Sequence, residues 1–234
     1  MLKSECIDIV FLMETDNKNL EKESDFQIEG YKTVFHKRKD HTTMLRMMCL
    51  IRNEVADTCL ILDDLMSDEI PSIWIEIKEK DQTKTAIGAF YREWTHNGIK
   101  TEAEQMKNMG LFCKQIEKCS NKYNNSIILG DMNLCSEKWK EVNYIYKNVS
   151  SILINTLEQC GMNERKLGTT FTADGLNKNG EVVMSSIDHI YVSIDMEGKT
   201  KTSKLLNSSS DHLPIVAKIE RNRTLAKKYK TITK

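Results

Sequence analysis

An acid and an amide close the apolar run Ser126-Ile127-Ile128-Leu129-Gly130-Asp131-Met132-Asn133. Three apolar residues, two of them β-branched, predict a short buried strand. Gly130 permits a sharp turn or a close backbone approach. If strand geometry persists, Asp131 and Asn133 project to the same side, and a stiff strand holds both groups still at its end. The same Gly-Asp-Met-Asn also suits a plain turn. Comparable groups end other apolar runs. Glu14 follows Ile7–Met13, and Tyr91-Arg92 end the run from Thr85, where they either hold a phosphate or form a solvated rim. Asp188 sits early in Ser186–Ser193, where a buried acid needs a partner. Asp211-His212 stands just ahead of Leu213-Pro214-Ile215-Val216.

The elements that must position these groups are mostly strands. Short runs at Tyr31–Phe35, Met44–Ile51 and Cys59–Leu62 read as strands, and Ile73, Ile75 and Ile77 alternate with Trp74 and Glu76 at a period of two. Thr101 and Glu104 form a capping box. Met106, Met109, Cys113, Ile116 and Cys119 follow at helical spacing and are read as core, not as metal ligands. A second helical stripe runs from Trp139 through Val142, Ile145, Tyr146, Val149, Ile152 and Leu153 to Leu157, with Gly161 as its stop. Gly168–Thr172 is a turn and a short extended piece, and Asp174–Glu181 reads as a loop or hairpin. The alternation is not that of a doubly wound sheet. It predicts an α+β fold of two packed sheets flanked by helices.

At 234 residues the chain fits one large domain. Thirty-four basic and thirty-four acidic residues cancel, so net charge selects no partner class. The distribution is uneven: ten of the basic residues and two of the acids lie from Gly198 onward. Seven cysteines, with no Cys-x-x-Cys, suggest neither a zinc site nor paired disulfides, and point to a reduced intracellular compartment. No run of about 18 apolar residues occurs, so no membrane span is expected. The start of the chain lacks the small-residue cleavage site of a signal peptide.

Taken in order, Leu12-Met13-Glu14-Thr15, Phe90-Tyr91-Arg92, Ile128–Asn133, Ser185–Ser193 and Ser209–Val216 resemble the motifs of the endonuclease/exonuclease/phosphatase superfamily, which has the deoxyribonuclease I-like fold. Within it, Ser-Ser-Ile-Asp-His-Ile and Ser-Asp-His-Leu-Pro resemble the apurinic/apyrimidinic-like endonuclease domains of non-LTR (LINE-type) retrotransposons. Gly168-Thr169-Thr170-Phe171-Thr172 is similar to a segment those domains carry. The resemblance spans Asp8 to Ile219, and it implies a four-layer α/β sandwich of two mixed sheets. It also implies an opening strand ending in asparagine, which would precede Met1. The expected sandwich therefore lacks its first strand, as in a fragment or a truncated reading frame. Met44–Met48 stands where the family often has Gly-Gly.

The resemblance further implies roles. Glu14 would bind the divalent metal, magnesium or manganese, with Asp211 helping. Asp131 would orient and deprotonate the attacking water, and Asn133 would fix the phosphate or that water. His212, positioned by Asp188, would stabilise phosphoryl charge, and Tyr91 would touch the scissile phosphate. Arg92, Ser186 and Ser210 would support phosphate binding. Such a site suits phosphodiester hydrolysis, because magnesium takes hard oxygen ligands and keeps several waters. The implied product is a nick in DNA with a 3′-hydroxyl and a 5′-phosphate, priming reverse transcription. The implied partners are DNA and a reverse transcriptase domain of a longer polypeptide, with no nucleotide cofactor and a nuclear setting. Residues 1–219 would form the domain and 220–234 a basic tail, serving either as a linker or, with Lys37, Arg38 and Lys39, as phosphate contacts. The alternatives are a phosphoesterase of the same superfamily acting on inositol phosphate, lipid headgroup or DNA ends, and an inactive remnant.

Overall fold

The computed structural model describes residues 7–17, 26–36, 45–79, 81–93, 101–177, 179–206 and 210–220. The basic turn at 37–39 and the tail beyond 220 lie outside these residues. One sheet of six strands forms the centre. It contains β4 (Cys59–Ile61), β5 (Ser72–Lys78), β6 (Lys84–Phe90), β7 (Asn125–Asp131), β8 (Met162–Glu164) and β11 (Asp188–Ser193), in the spatial order β4-β5-β6-β7-β11-β8. Only the β6–β7 pair is parallel. After the one-turn helix α1 (Asn53–Ala56), the long helix α2 (Glu102–Lys122) joins that pair, as a parallel crossover requires.

β5 shows why this sheet has two covered faces. Ile73, Ile75 and Ile77 point into one apolar cluster, while Trp74 points into another beneath the helices. The helical cluster gathers Met109, Phe112, Cys113 and Ile116 of α2 with Val149, Leu153 and Leu157 of α3 (Lys147–Gln159). The predicted capping box is present: Thr101 Oγ1 accepts from the Glu104 N–H, and Glu104 Oε2 accepts from the Thr101 N–H.

The second layer is divided. β1 (Ile9–Asn17), β3 (Leu45–Arg52) and β2 (Tyr31–Phe35) form a three-stranded antiparallel sheet in the order β1-β3-β2. β12 (Thr200–Lys204) and β13 (Ile215–Ile219) form a separate two-stranded one. Among the described residues, β1 pairs only with β3 and β13 only with β12. Ile9, Phe11 and Met13 cover one part of the central sheet, and Ile215, Ala217 and Ile219 cover another. Leu129 of β7 touches both apolar clusters and is itself only half-buried. The expected α+β sandwich is present, with a seam in its outer sheet. β9 (Phe171–Leu176) and β10 (Val182–Ser185) make the expected hairpin around Asp174–Glu181.

One predicted element is shorter than its pattern. The stripe from Trp139 to Leu157 follows a 3₁₀ turn at Ser136–Lys138 and is helical only from Lys147, leaving Val142 and Ile145 exposed at 81% and 75%. The aromatic residues of the stripe serve the loop. Trp139 stacks on His189 at 5.3 Å and Tyr146 lies 4.6 Å beneath the Arg92 guanidinium, while Tyr144, outside the stripe, accepts through Oη from the Cys135 N–H at 2.9 Å. Gly161 does end the helix, in the left-handed region at φ +62°.

Gly130 is the tightest point of the fold. Its φ is +144°, and a Cβ there would lie 2.0 Å from the Phe90 carbonyl oxygen. Gly130→Ala is therefore expected to lower unfolding stability by about 1–3 kcal/mol, read from the midpoint of urea denaturation.

Candidate active site

The central strands β7 and β11 bring two acids face to face. Asp131, the last residue of β7, is the register partner of Asp188, the first of β11. Directly opposed like charges on neighbouring strands repel. Two devices answer the repulsion. His212, just before β13, places Nδ1 3.0 Å from Asp188 Oδ2. Asn133 folds back so that its backbone N–H donates to Asp131 Oδ1 at 2.8 Å and its side-chain amide donates to Asp131 Oδ2 at 3.1 Å.

Asn133 therefore does not continue the strand. It stands at φ +47°, a conformation asparagine tolerates, and its amide also donates to the Arg92 carbonyl at 2.9 Å. The expectation that Asp131 and Asn133 project in parallel from one strand is corrected: the strand ends at Asp131, and a turn aims the amide at the carboxylate.

Burial and the Asp188 carboxylate push the Asp131 carboxyl up to about 7, against the opposing pull of His212 and the Asn133 N–H. For His212, burial alone would depress the imidazole. The hydrogen bond and charge of Asp188, with the charges of Asp131 and Asp211, outweigh it and raise the ring to about 9. The arrangement is a carboxyl poised near neutrality beside a cationic imidazole. Phe171 sets the ring's position edge-on, with centroids 4.9 Å apart, and pairs with His212 through a backbone bridge. Thr170 holds the start of β11: its Oγ1 accepts from the Ile187 and Asp188 N–H groups.

A second group of polar side chains comes from the outer sheet. Glu14 lies in the irregular stretch of β1 after Met13, at φ +54°, with its side chain 56% exposed. β1 runs on to Asn17, so Glu14 sits within the strand rather than ending it. Tyr91, buried at the end of β6, donates its hydroxyl to Glu14 Oε1 at 2.5 Å. Burial, reinforced by the Glu14 carboxylate, raises the phenol further above its ordinary value, so it stays protonated. Met13 ties the two groups together: its sulfur accepts from the Asp131 N–H at 3.2 Å.

Among the described residues, Asp131, Asp188 and His212 form a cluster whose ligand atoms lie within 4.8 Å of one another. His212 spends Nδ1 on Asp188 and is cationic, so this trio reads as a proton-handling group. Glu14 and Asp211 are not part of it. Asp211 is exposed, and its Oδ1 accepts from the Ser210 hydroxyl at 2.9 Å. Ser210 Oγ in turn accepts from the His212 N–H at 3.2 Å, shaping the turn that presents the imidazole. The exposed carboxylates of Glu14 and Asp211 are hard oxygen donors of the kind a divalent cation takes.

Two expected phosphate ligands are corrected. Arg92 is 1% exposed and spends its guanidinium inside the protein. Nε donates to the Met132 carbonyl, Nη1 to Gln105 Oε1 and Nη2 to the Asn133 carbonyl, at 2.5–2.6 Å. The group also lies 4.6 Å over the Tyr146 ring. It splints the turn that carries Asn133. Ser186 is buried, and its hydroxyl donates to Glu137 at 3.1 Å, bracing the same loop from the other side.

Three participants are given no role by the motifs. Thr170 and His189 lie inside motif segments but carry no signal of their own. His189 is buried between Trp139 and Tyr191, 2.8 Å from the Leu134 carbonyl and 3.1 Å from Glu164. The third, Arg46, leaves a trace: a lone charge in the apolar run Met44–Ile51 must find partners if the strand is buried. Arg92→Met is expected to reduce unfolding free energy by about 2–3 kcal/mol in chemical denaturation, and Arg92→Lys to recover little of it, because one ammonium cannot span three acceptors.

The comparisons accord with this geometry. A family model described as "Endonuclease-reverse transcriptase" matches residues 91–216, more than half of the chain. No curated protein matches the sequence significantly. The endonuclease domain of TRAS1, a telomere-specific non-LTR retrotransposon, superposes with a TM-score of 0.65 at 16% identity, covering 95% of this chain and 90% of that one. The AP endonuclease LMAP from Leishmania major gives a TM-score of 0.70 at 11% identity, with 94% and 80% covered. The 3′ phosphatase NExo from Neisseria, bound to a product DNA hairpin, gives 0.65 at 18% identity, with 94% and 91% covered. With Asp131, Asn133, Asp188 and His212 all inside the matched segment, the chain belongs to the endonuclease–reverse transcriptase family of the deoxyribonuclease I-like superfamily.

Proposed function

We propose that the chain is a divalent-metal-dependent endonuclease that nicks DNA, leaving a 3′-hydroxyl and a 5′-phosphate. The observation that carries the reading is the buried Asp131 carboxyl, poised near neutrality and held by Asn133 beside the Asp188–His212 pair. Asp131 takes a proton from water as its oxygen adds to phosphorus. The P–O3′ bond breaks, the departing 3′ oxygen takes a proton from solvent water, and Asp131 returns the proton it took to solvent. The His212 imidazolium offsets charge on the phosphoryl oxygens, and Asp188 holds it in place and keeps it charged. Tyr91 remains a hydroxyl donor that orients Glu14. Glu14, with Asp211, would hold magnesium or manganese; such an ion would supply Lewis-acid stabilisation of the developing charge.

The substrate reading draws on the neighbours: a retrotransposon endonuclease, an AP endonuclease and an enzyme bound to a DNA hairpin. In this reading the chain works in the nucleus, and its new 3′-hydroxyl primes a reverse transcriptase carried on a longer polypeptide. A second reading, release of a terminal phosphate from DNA, is favoured by the likeness to a 3′ phosphatase.

The direct test is nicking of supercoiled plasmid with magnesium and with EDTA. Magnesium-dependent relaxation, reduced about 10²–10⁴-fold by Asp131→Ala, is the expected result. Activity confined to 3′-phosphorylated oligonucleotides would select the second reading. Asp131 must be deprotonated and His212 protonated, so the rate should rise through about pH 7 and fall through about pH 9. Asp188→Asn removes the charge that raises both groups, so both limbs should move to lower pH in the same assay.

A further inference from the structure

Arg46 is a cation built into the site. It stands at the start of β3, 6% exposed, next to the buried apolar residues Met47 and Met48. Its Nη2 donates to Tyr91 Oη at 2.9 Å, and its guanidinium lies 5.1 Å over the Tyr91 ring. Nε pairs with Glu93 at 3.3 Å, and Nη2 lies 4.0 Å from Glu14 Oε1. The Tyr91 hydroxyl therefore accepts from Arg46 and donates to Glu14, using both of its capacities at once. Two carboxylates thus share one guanidinium, and Glu14 is oriented before any cation arrives.

We propose that Arg46 is a positioning residue that holds Glu14 and Tyr91 in register and, as a fixed positive charge beside Glu14, lowers the affinity of the site for divalent cations. The inference rests on the reading of Glu14 as the metal ligand. A divalent cation at the Glu14 carboxylate must approach a guanidinium that has little water around it to screen it. Glu93 offsets part of that repulsion but is committed to the same arginine. The metal site is consequently pre-shaped but weak, and the neutralised Glu14 keeps its orientation when no cation is present. Lysine would preserve the charge while losing the simultaneous reach to Tyr91 and Glu93, which separates the electrostatic role from the geometric one.

The experiment is a calorimetric titration of the full chain with Mn²⁺ at low ionic strength, without nucleic acid. It compares the wild type with Arg46→Gln, Arg46→Lys and Glu14→Gln, each checked by near-UV circular dichroism. Arg46→Gln should bind Mn²⁺ at least about threefold more tightly. Arg46→Lys should stay within about twofold of the wild type, and Glu14→Gln should bind more weakly. Equal or weaker binding by a folded Arg46→Gln, alongside weakened Glu14→Gln, overturns the role of Arg46 and leaves Glu14 as ligand. Tightening by Arg46→Lys as large as by Arg46→Gln also overturns the charge argument. Undiminished binding by Glu14→Gln overturns both the metal reading at Glu14 and the inference built on it. If Arg46→Gln does not fold, the lysine variant decides alone: an affinity within about twofold upholds the charge role, and a larger change rejects it.

Discussion

Asp131 and Asp188 are forced together by strand pairing, and the rest of the site answers that enforced opposition. Antiparallel register sets them side by side at the ends of β7 and β11, where neither backbone can withdraw. Burial keeps water from screening the pair, so one carboxyl rises toward neutrality and the imidazole beside them becomes a cation. The turn at Asn133, the splint of Arg92 beneath it and the hydroxyl of Thr170 all keep that geometry from relaxing.

This has a bearing on how specificity and chemistry divide within the fold. The proton-handling groups belong to the six-stranded sheet or pair directly with it. Glu14, Arg46 and Tyr91 form a second unit where β1, β3 and β6 meet. Met13, by accepting from the Asp131 N–H, is the short link between the two. A substitution that alters one unit can leave the internal hydrogen bonds of the other intact, although both face the same phosphate in the proposed reaction.

Much of this was legible from residue types and spacing. Glu14, Tyr91 and Asp131 stand out because apolar runs in the sequence stop at them, and Asp188 because an acid in a buried strand needs a partner; that the partner is His212 was implied by the superfamily resemblance. What escaped was the direction of side chains. An arginine at a strand end looks solvated, yet three carbonyl-type acceptors converge on Arg92 only because the chain reverses at Asn133, forty-one residues later. The helical stripe from Trp139 was equally misleading. Its aromatic residues Trp139 and Tyr146 fall at helical spacing, but they are used to stack on His189 and to lie beneath Arg92, which periodicity alone does not distinguish from packing under a helix. Arg46 was hidden for a related reason: its partners come from β1 and the residues after β6, both remote in sequence.

The seam in the outer layer gives the molecule an uneven resistance to opening. Among the described residues β1 and β13 each pair with one neighbour, and Leu129, which touches the apolar clusters beneath both, is only half-buried, whereas β5, β6, β7 and β11 are paired on both sides. Backbone amides along the seam are thus the ones that solvent reaches first. Glu14 rides on one lip, and His212 immediately precedes the other. Warming or mild denaturant should pull Glu14 and the His212 imidazole away from a six-stranded sheet that is still intact, so the proposed site would come apart while most secondary structure persists. Any extended chain that bridged the two lips would close that window, coupling the durability of the site to whatever strand lies alongside it.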